Sequence, residues 1–136
     1  MIEREQQIRH YFDTWINKDN SILSTIFDPN IVYTESYGPQ YRGLDTLLLW
    51  FEDWNSRGTV LSWTIKQFIH QGHMTVVEWY FKCEYDAVTD AFDGVSLIEF
   101  NPENQIVCLK RIPIENTAFL SLYMTLFSGK RTIRHI

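Results

Sequence analysis

The stretch TVVEWYFKCEY, residues 75 to 85, alternates between two kinds of side chain. Its odd-numbered positions are mostly apolar and include Trp79 and Phe81, whereas its even-numbered positions include Glu78 and Glu84. Because successive side chains of a strand point to opposite faces of a sheet, this pattern predicts a strand whose odd-numbered face lies against a hydrophobic core.

Strand-like sequence continues on both sides of this stretch, from residue 59 to 112. Turn-forming residues interrupt it at 71–72, at 86–89 and at 101–105. Four strands joined by short turns are typical of an antiparallel meander.

The pairing of the strands on either side of residues 86–89 depends on the turn between them. A two-residue turn at Ala87 and Val88 predicts that Trp79 lies opposite Ser96 and brings Ser96 to the inner face. A register slip of one residue would turn Ser96 outward.

Helical spacing of apolar residues marks the segments outside the meander. It predicts a first helix over 3–18, a third over 44–55 and a terminal helix over 114–128. A short second helix precedes a strand at 31–36, and its apolar stripe is Ile22, Leu23, Ile26 and Phe27.

The order of these elements predicts an α+β fold, in which a curved antiparallel sheet wraps around N-terminal helices to form a cone. The 136 residues fit one domain, residues 1–136, with residues 114–136 as a C-terminal helical extension.

Composition and charge exclude some classes of function. A net charge of −5 and a pI near 5.3 argue against nucleic-acid binding. The charged N-terminus shows no secretion signal, and the longest apolar run, Leu47 to Phe51, is too short to span a membrane. We therefore expect a cytoplasmic protein with reduced Cys83 and Cys108, although a disulfide remains an alternative. His70 and His73 are interpreted as surface histidines, and no metal site is expected.

Glu35 lies within IVYTESYG, residues 31 to 38, and strict alternation places it on the same face as Tyr33. If that face is buried, the carboxylate loses solvation, and burial favours the protonated form that can carry a proton. If instead the chain turns at SYGP, residues 36–39, Glu35 lies at a solvated strand end. The residues alone leave both alternatives open.

The outer face of the predicted sheet carries apolar residues that a solvated surface does not require. These residues are Tyr80, Val95 and Leu97. A second copy of the chain packed on this face would cover them, so we expect a homodimer.

Four stretches give the chain a family resemblance. They are HYFDTWINKDNSILSTIFDPNIVYTESYG (10–38), YRGLDTLLLWFEDW (41–54), VVEW (76–79) and FDGVSLIEF (92–100). Together with the element order over residues 5–112, they resemble the cystatin-like, cone-shaped superfamily of nuclear transport factor 2 (NTF2), SnoaL-like polyketide cyclases and ketosteroid isomerases. This resemblance is specific for the fold but not for the function, because the same scaffold hosts several kinds of enzyme and also binding modules without catalysis.

The resemblance implies roles for three polar residues, with Glu35 as the proton shuttle, Tyr11 as a donor to a developing enolate oxygen and Ser96 in the oxyanion hole. It also favours the inward-facing alternative for Glu35. Glu is one methylene longer than the Asp of the ketosteroid isomerases, and Ser96 replaces their second acid. Steroid isomerase activity itself is therefore not expected.

The predicted function is a SnoaL-like pocket that binds a small apolar carbonyl compound and transfers a proton on it, without an external cofactor. The alternatives are a non-catalytic ligand-binding or dimerisation module and a protein adaptor. Arg111 would pair with Glu35 or an anionic substrate, or lie over aromatic rings at the rim, and the strand parity of Trp63 is ambiguous. The predicted ligand-binding residues are Trp15, Tyr33, Trp50, Phe51, Trp63, Trp79, Phe81, Ile98, Leu109 and Arg111.

Overall fold

Three helices and six strands make up residues 2–36 and 38–114, the part of the chain that this computed structural model describes. In chain order they are α1 (Ile2–Asn17), α2 (Leu23–Ile26), β1 (Phe27–Thr34), β2 (Gln40–Arg42), α3 (Leu44–Arg57), β3 (Gly58–Gln71), β4 (Met74–Tyr85), β5 (Val88–Phe100) and β6 (Ile106–Pro113). The predicted terminal helix at 114–128 falls outside the described residues. No helix in the described ranges is long and apolar enough to cross a membrane.

The strands form one curved, unclosed sheet in the order β2-β1-β6-β5-β4-β3. Strands β3 to β6 are the predicted antiparallel meander. Strand β1 joins it by pairing parallel to β6, and β2 adds an antiparallel edge. Helix α1 packs against β3 and α3 against β1, so the N-terminal helices fill the inside of the sheet, and the predicted α+β cone is confirmed.

One local prediction was wrong near the second helix. Helix α2 is a single turn, and Phe27, expected on its apolar stripe, begins β1 instead. Phe27 has extended backbone angles, φ −106° and ψ 140°, and its ring is fully buried. The apolar run therefore divides between the helix and the strand.

The turn between β4 and β5 lies one residue earlier than predicted, at Asp86 and Ala87. Both residues have positive φ, 48° and 66°, as a two-residue turn that matches the twist of the flanking strands requires. The predicted turn would put Val88 in this region, which Asp tolerates better than Val. Trp79 consequently lies opposite Gly94 rather than Ser96. The register differs by two residues, so Ser96 still faces inward.

The inner face of β4 is buried as predicted. Val77 and Trp79 are fully buried, and Phe81 is 5% exposed. The ring of Trp79 lies directly over Gly94, where a Cβ atom would contact that ring and would lie 2.7 Å from the carbonyl oxygen of Ile112. Glycine at position 94 therefore lets the indole reach its place in the core.

The outer face of the sheet carries a second, smaller apolar cluster. Val95 is buried in it next to Val76, Leu97 is partly buried against them, and Tyr80 is partly buried on the same face. Homodimerisation through Tyr80, Val95 and Leu97 stays a prediction.

His70 is not the surface histidine that the sequence indicated. Its ring is half-buried, with Nδ1 2.9 Å from Thr75 Oγ1 and Nε2 2.8 Å from Glu5 Oε2, whereas His73 is exposed and bonds to Glu99. These contacts connect α1 to the β3–β4 hairpin. Among the described residues, no group of three or more His, Cys, Asp or Glu is arranged to hold a metal ion.

Candidate small-molecule site

A cavity of about 1100 Å³ opens between the helices and the inner face of the sheet. This volume lies at the upper end of the volumes of pockets that bind small ligands. Its walls are mostly apolar and rich in aromatic rings, with Trp15, Trp50, Trp54, Trp63, Phe81 and Phe92 among the lining residues. Such a surface suits a ligand with a large apolar body.

Glu35 reaches this cavity from the end of β1. Ile31 and Tyr33 are fully buried on the same side of the strand, and Glu35 is 4% exposed. The backbone closes a turn directly after it, with Glu35 N–H donating to Pro39 O at 2.8 Å. The acid therefore faces inward, and the solvated strand end is the wrong alternative.

Arg111 is the ionic partner of Glu35. Its Nη1 donates to Glu35 Oε1 at 2.8 Å, and the two side chains are 7% and 3% exposed. Burial is the largest effect on the pKa of Arg111 and lowers it, but the charge and hydrogen bond of Glu35 together with the phenols of Tyr33 and Tyr11 outweigh it, so the pKa of the guanidinium lies above its usual range. The guanidinium thus stays charged and forms a buried salt bridge with Glu35.

Aromatic rings enclose the guanidinium group of Arg111. Its Cζ atom lies 4.9 Å from the ring centre of Trp63, 4.9 Å from that of Trp79, 4.6 Å from that of Phe81 and 6.0 Å from that of Phe92. Its Nε and Nη2 atoms are buried and have no hydrogen-bond partner among the described residues. The rings supply cation–π attraction in place of hydrogen bonds.

The two oxygens of the Glu35 carboxylate differ in their surroundings. Oε1 accepts from Arg111 Nη1, from Ser36 N at 2.8 Å and from Ser36 Oγ at 3.1 Å. Within the part of the chain that the structure describes, Oε2 accepts no hydrogen bond. Since Glu35 lines the cavity, this oxygen is the one left to a ligand.

Tyr11 lies behind the cavity wall. Its phenol oxygen is 2.6 Å from that of Tyr33, and both residues are fully buried. Burial raises the pKa of each phenol, so both stay protonated. Neither residue lines the cavity, so this arrangement does not give Tyr11 the direct contact with a ligand that the resemblance implied.

Ser96 is likewise inside the core and does not line the cavity. Its Oγ accepts a hydrogen bond from Trp79 Nε1 at 2.9 Å, and neither residue is exposed. The hydroxyl therefore satisfies a buried indole, which accounts for a polar side chain on the inner face.

The predicted ligand-binding residues divide between the cavity wall and the core. Trp15, Trp50, Trp63, Phe81 and Arg111 line the cavity. Five others are packed in the core without lining it: Tyr33, Phe51, Trp79, Ile98 and Leu109. Packing explains the difference, because rings of the cavity wall cover the core residues behind them. Trp63, for example, stacks on Phe12 with the two ring centres 3.8 Å apart.

Sequence reasoning missed Trp54, Phe92 and Asp90, which line the cavity. Trp54 lies one helical turn after Trp50 on α3, and this spacing could have identified it. Asp90 and Phe92 lie opposite Cys83 and Phe81, and only the correct β4–β5 register reveals this.

The mouth of the cavity is acidic. Asp86 and Asp90 belong to its lining, and both are exposed. Asp86 pairs with Arg57, whose Nη2 lies 2.7 Å from Asp86 Oδ2 on the protein surface. Cys83, also in the lining, is a free thiol, and burial raises its pKa.

Comparison with known proteins agrees with this fold. The model of the SnoaL-like domain family matches residues 8–109, so the chain belongs to that family. No curated protein matches the chain at a significant level.

Solved structures show the same fold at low identity. An LEH-like epoxide hydrolase from M. tuberculosis matches with a TM-score of 0.74 and 14% identity, over 92% of each chain. An NTF2-like protein of unknown function from Exiguobacterium sp. 255-15 has a TM-score of 0.70 and 17% identity, over 81% of this chain and 99% of its own. A protein with a cystatin-like fold from Xanthomonas campestris has a TM-score of 0.68 and 15% identity, over 84% and 92%.

One further match has a ketosteroid isomerase-like fold, and another is named after the SnoaL-like polyketide cyclases. The predicted superfamily is therefore confirmed. Because different activities share this fold, the particular function must be argued from the site.

Proposed function

We propose that the protein binds a small, mostly apolar carbonyl compound in the aromatic cavity and that Glu35 transfers a proton on it. One observation carries this proposal: a buried carboxylate lines the cavity with Oε1 fully occupied and Oε2 open to a ligand. A carboxylate oxygen in such a position can remove a proton from the carbon next to a carbonyl group.

The reaction would break one C–H bond of the ligand. Its electron pair would move onto the carbonyl oxygen as an enolate, and the proton would pass to Glu35 Oε2. Return of that proton to the same or a neighbouring carbon restores Glu35 and gives exchange or isomerisation. Arg111 supports the first step by holding the carboxylate in a fixed position through Oε1, and the aromatic wall supports it by excluding water.

A non-catalytic ligand-binding module is the second candidate. The ion pair with Arg111 favours it, because a carboxylate that is bonded to a guanidinium at 2.8 Å already has a structural partner. In that case the pair is a structural element of the wall, and the cavity only binds.

Proton exchange on 2-tetralone, an apolar aromatic ketone, separates these functions. Its rate in D₂O would be followed by NMR with the wild-type protein, with the double variant Glu35→Gln/Arg111→Met, and with Glu84→Gln as an exposed control. Quenching of tryptophan fluorescence would report binding, because four tryptophans line the cavity.

We expect exchange above the buffer rate in the wild type and the control. We expect about 100-fold less catalysed exchange in the double variant, with fluorescence quenching retained. Binding without Glu35-dependent exchange would support the binding module instead. Absence of both binding and exchange would contradict the proposed function.

A further inference from the structure

One wall of the cavity is a continuous surface of aromatic rings. The ring centres of Trp15 and Trp50 are 4.9 Å apart, those of Trp15 and Trp54 are 5.6 Å apart, and those of Trp54 and Tyr85 are 5.4 Å apart. Trp50, Trp54 and Tyr85 are only partly buried. The faces of aromatic rings are electron-rich, so this wall attracts a positive charge more than a neutral group of the same shape.

Carboxylates occupy both ends of this wall. Glu35 lies at the inner end with Oε2 open, and Asp86 and Asp90 lie at the mouth. Asp90 pairs across the sheet with Cys83, whose side chain faces the core, so Asp90 is on the cavity side of β5. Unlike Asp86, Asp90 forms no salt bridge with another described residue.

The guanidinium groups next to the cavity are already engaged. Arg111 is bonded to Glu35 and enclosed by rings, with Nε and Nη2 buried. Arg57 is bonded to Asp86, and its Cζ lies 5.3 Å from the ring centre of Tyr85. An anionic ligand would therefore lose its hydration and meet no accessible cation among the described lining residues.

We infer that the carbonyl compound that binds in the cavity is an organic cation, with a protonated amine or quaternary ammonium group on its apolar body. This inference rests on the proposed function, because it names the class of molecule that the same cavity binds. The charged group lies at the mouth, over the face of Trp54 and near Asp90. The apolar body extends inward toward Trp63 and Phe81.

Two probes of nearly equal shape test the charge alone. Phenyltrimethylammonium carries a permanent positive charge, and tert-butylbenzene replaces its nitrogen with carbon. Affinities would be measured by quenching of tryptophan fluorescence, in the wild type, in Asp90→Asn and in Asp13→Asn. Asp13 is an exposed acid on α1 outside the cavity lining and serves as the matched control.

We expect the cation to bind about 2-fold to 30-fold more tightly than its neutral counterpart, as cation–π attraction of this kind implies. Asp90→Asn should lower the affinity for the cation and leave that for the neutral probe unchanged, and Asp13→Asn should change neither. The cation preference should also weaken as salt is raised, because Asp90 is exposed to solvent.

Equal binding of the two probes, or tighter binding of the neutral one, would overturn the inference and leave the proposed function standing. A preference for the cation that neither Asp90→Asn nor salt changes would also overturn it, because the charge would then be recognised elsewhere. Failure of both probes and of 2-tetralone to bind would contradict the proposed function itself.

Discussion

Arg111 Nη1 lies 2.8 Å from Glu35 Oε1, and the parallel pairing of β1 with β6 creates this contact. Thr34 is registered with Lys110, so the next residues along both strands, Glu35 and Arg111, emerge side by side into the cavity. The same pairing that attaches β1 to the meander thus builds the charged part of the candidate site.

Replacing Glu35 alone should destabilise the protein strongly. Glu35→Gln leaves the guanidinium of Arg111 buried without its counter-charge, and breaking a buried pair in this way costs about 3–5 kcal/mol. Urea unfolding measures the change in the free energy of unfolding.

Removing both charges should be much less harmful. Glu35→Gln/Arg111→Met replaces the pair with uncharged side chains, so most of the lost stability should return. The exposed control Glu84→Gln should lie within about 0.5 kcal/mol of the wild type. If the single and double variants lose equal stability, the pair is not coupled as described.

Ser96→Ala should lower stability by about 1–3 kcal/mol, because it leaves the buried indole N–H of Trp79 without an acceptor. Ser62→Ala, at a partly buried position on β3, is the matched control. Urea unfolding gives the two free energies. The exchange rate of 2-tetralone per folded molecule distinguishes this structural role from the oxyanion role that the resemblance implied. The oxyanion role requires that Ser96→Ala lowers this rate by about tenfold or more.

Gly94→Ala should destabilise the protein by about 1–3 kcal/mol through overpacking. The new methyl group would meet the ring of Trp79 and the carbonyl oxygen of Ile112. Combining it with Trp79→Phe removes the atoms of the ring that clash, so the double variant should lose less than the sum of the single losses in a denaturant titration. Additive losses would show that Trp79 does not rest on Gly94.

Stability should fall in alkaline solution because of Tyr11 and Tyr33. Burial raises the pKa of both phenols above the value of 10.0 that they have in the unfolded chain. Their contribution is complete below about pH 10 and is lost as the pH rises further, because the unfolded state then releases protons that the folded state retains. Urea titrations at intervals of about one pH unit, from about pH 8 to about pH 12, measure the slope of the free energy of unfolding against pH. Tyr11→Phe should reduce this slope. An unchanged slope in Tyr11→Phe would contradict this assignment.

Local alternation was enough to predict the inner face of β4 and to place Glu35 on the same face as Tyr33, because both depend on parity within one strand and parity follows from the period of two. Only the resemblance favoured the inward direction of that face of β1. The β4–β5 register was wrong because the turn centre depends on which residues accept positive φ, as Asp86 and Ala87 do.

Long-range partners could not be predicted in the same way. Pairing with Glu35 was one of the alternatives for Arg111, but local patterns could not select it, because the contact joins residues 76 positions apart through a parallel pairing that leaves no turn signal in the sequence. The partners of Tyr11 and Ser96 depend on how rings pack in three dimensions. The resemblance implied catalytic roles for Tyr11 and Ser96, but packing gives their hydroxyl groups to Tyr33 and Trp79 instead.

The most direct test is whether a ligand in the cavity contacts the carboxylate of Glu35. With ¹³C-labelled glutamate, the carboxyl resonance of Glu35 is identified by its absence from Glu35→Gln/Arg111→Met. Saturation with 2-tetralone should shift this resonance and leave that of the exposed Glu84 unmoved. If tryptophan fluorescence reports binding while the Glu35 resonance stays in place, the ligand does not reach this carboxylate, and the account of the site is contradicted.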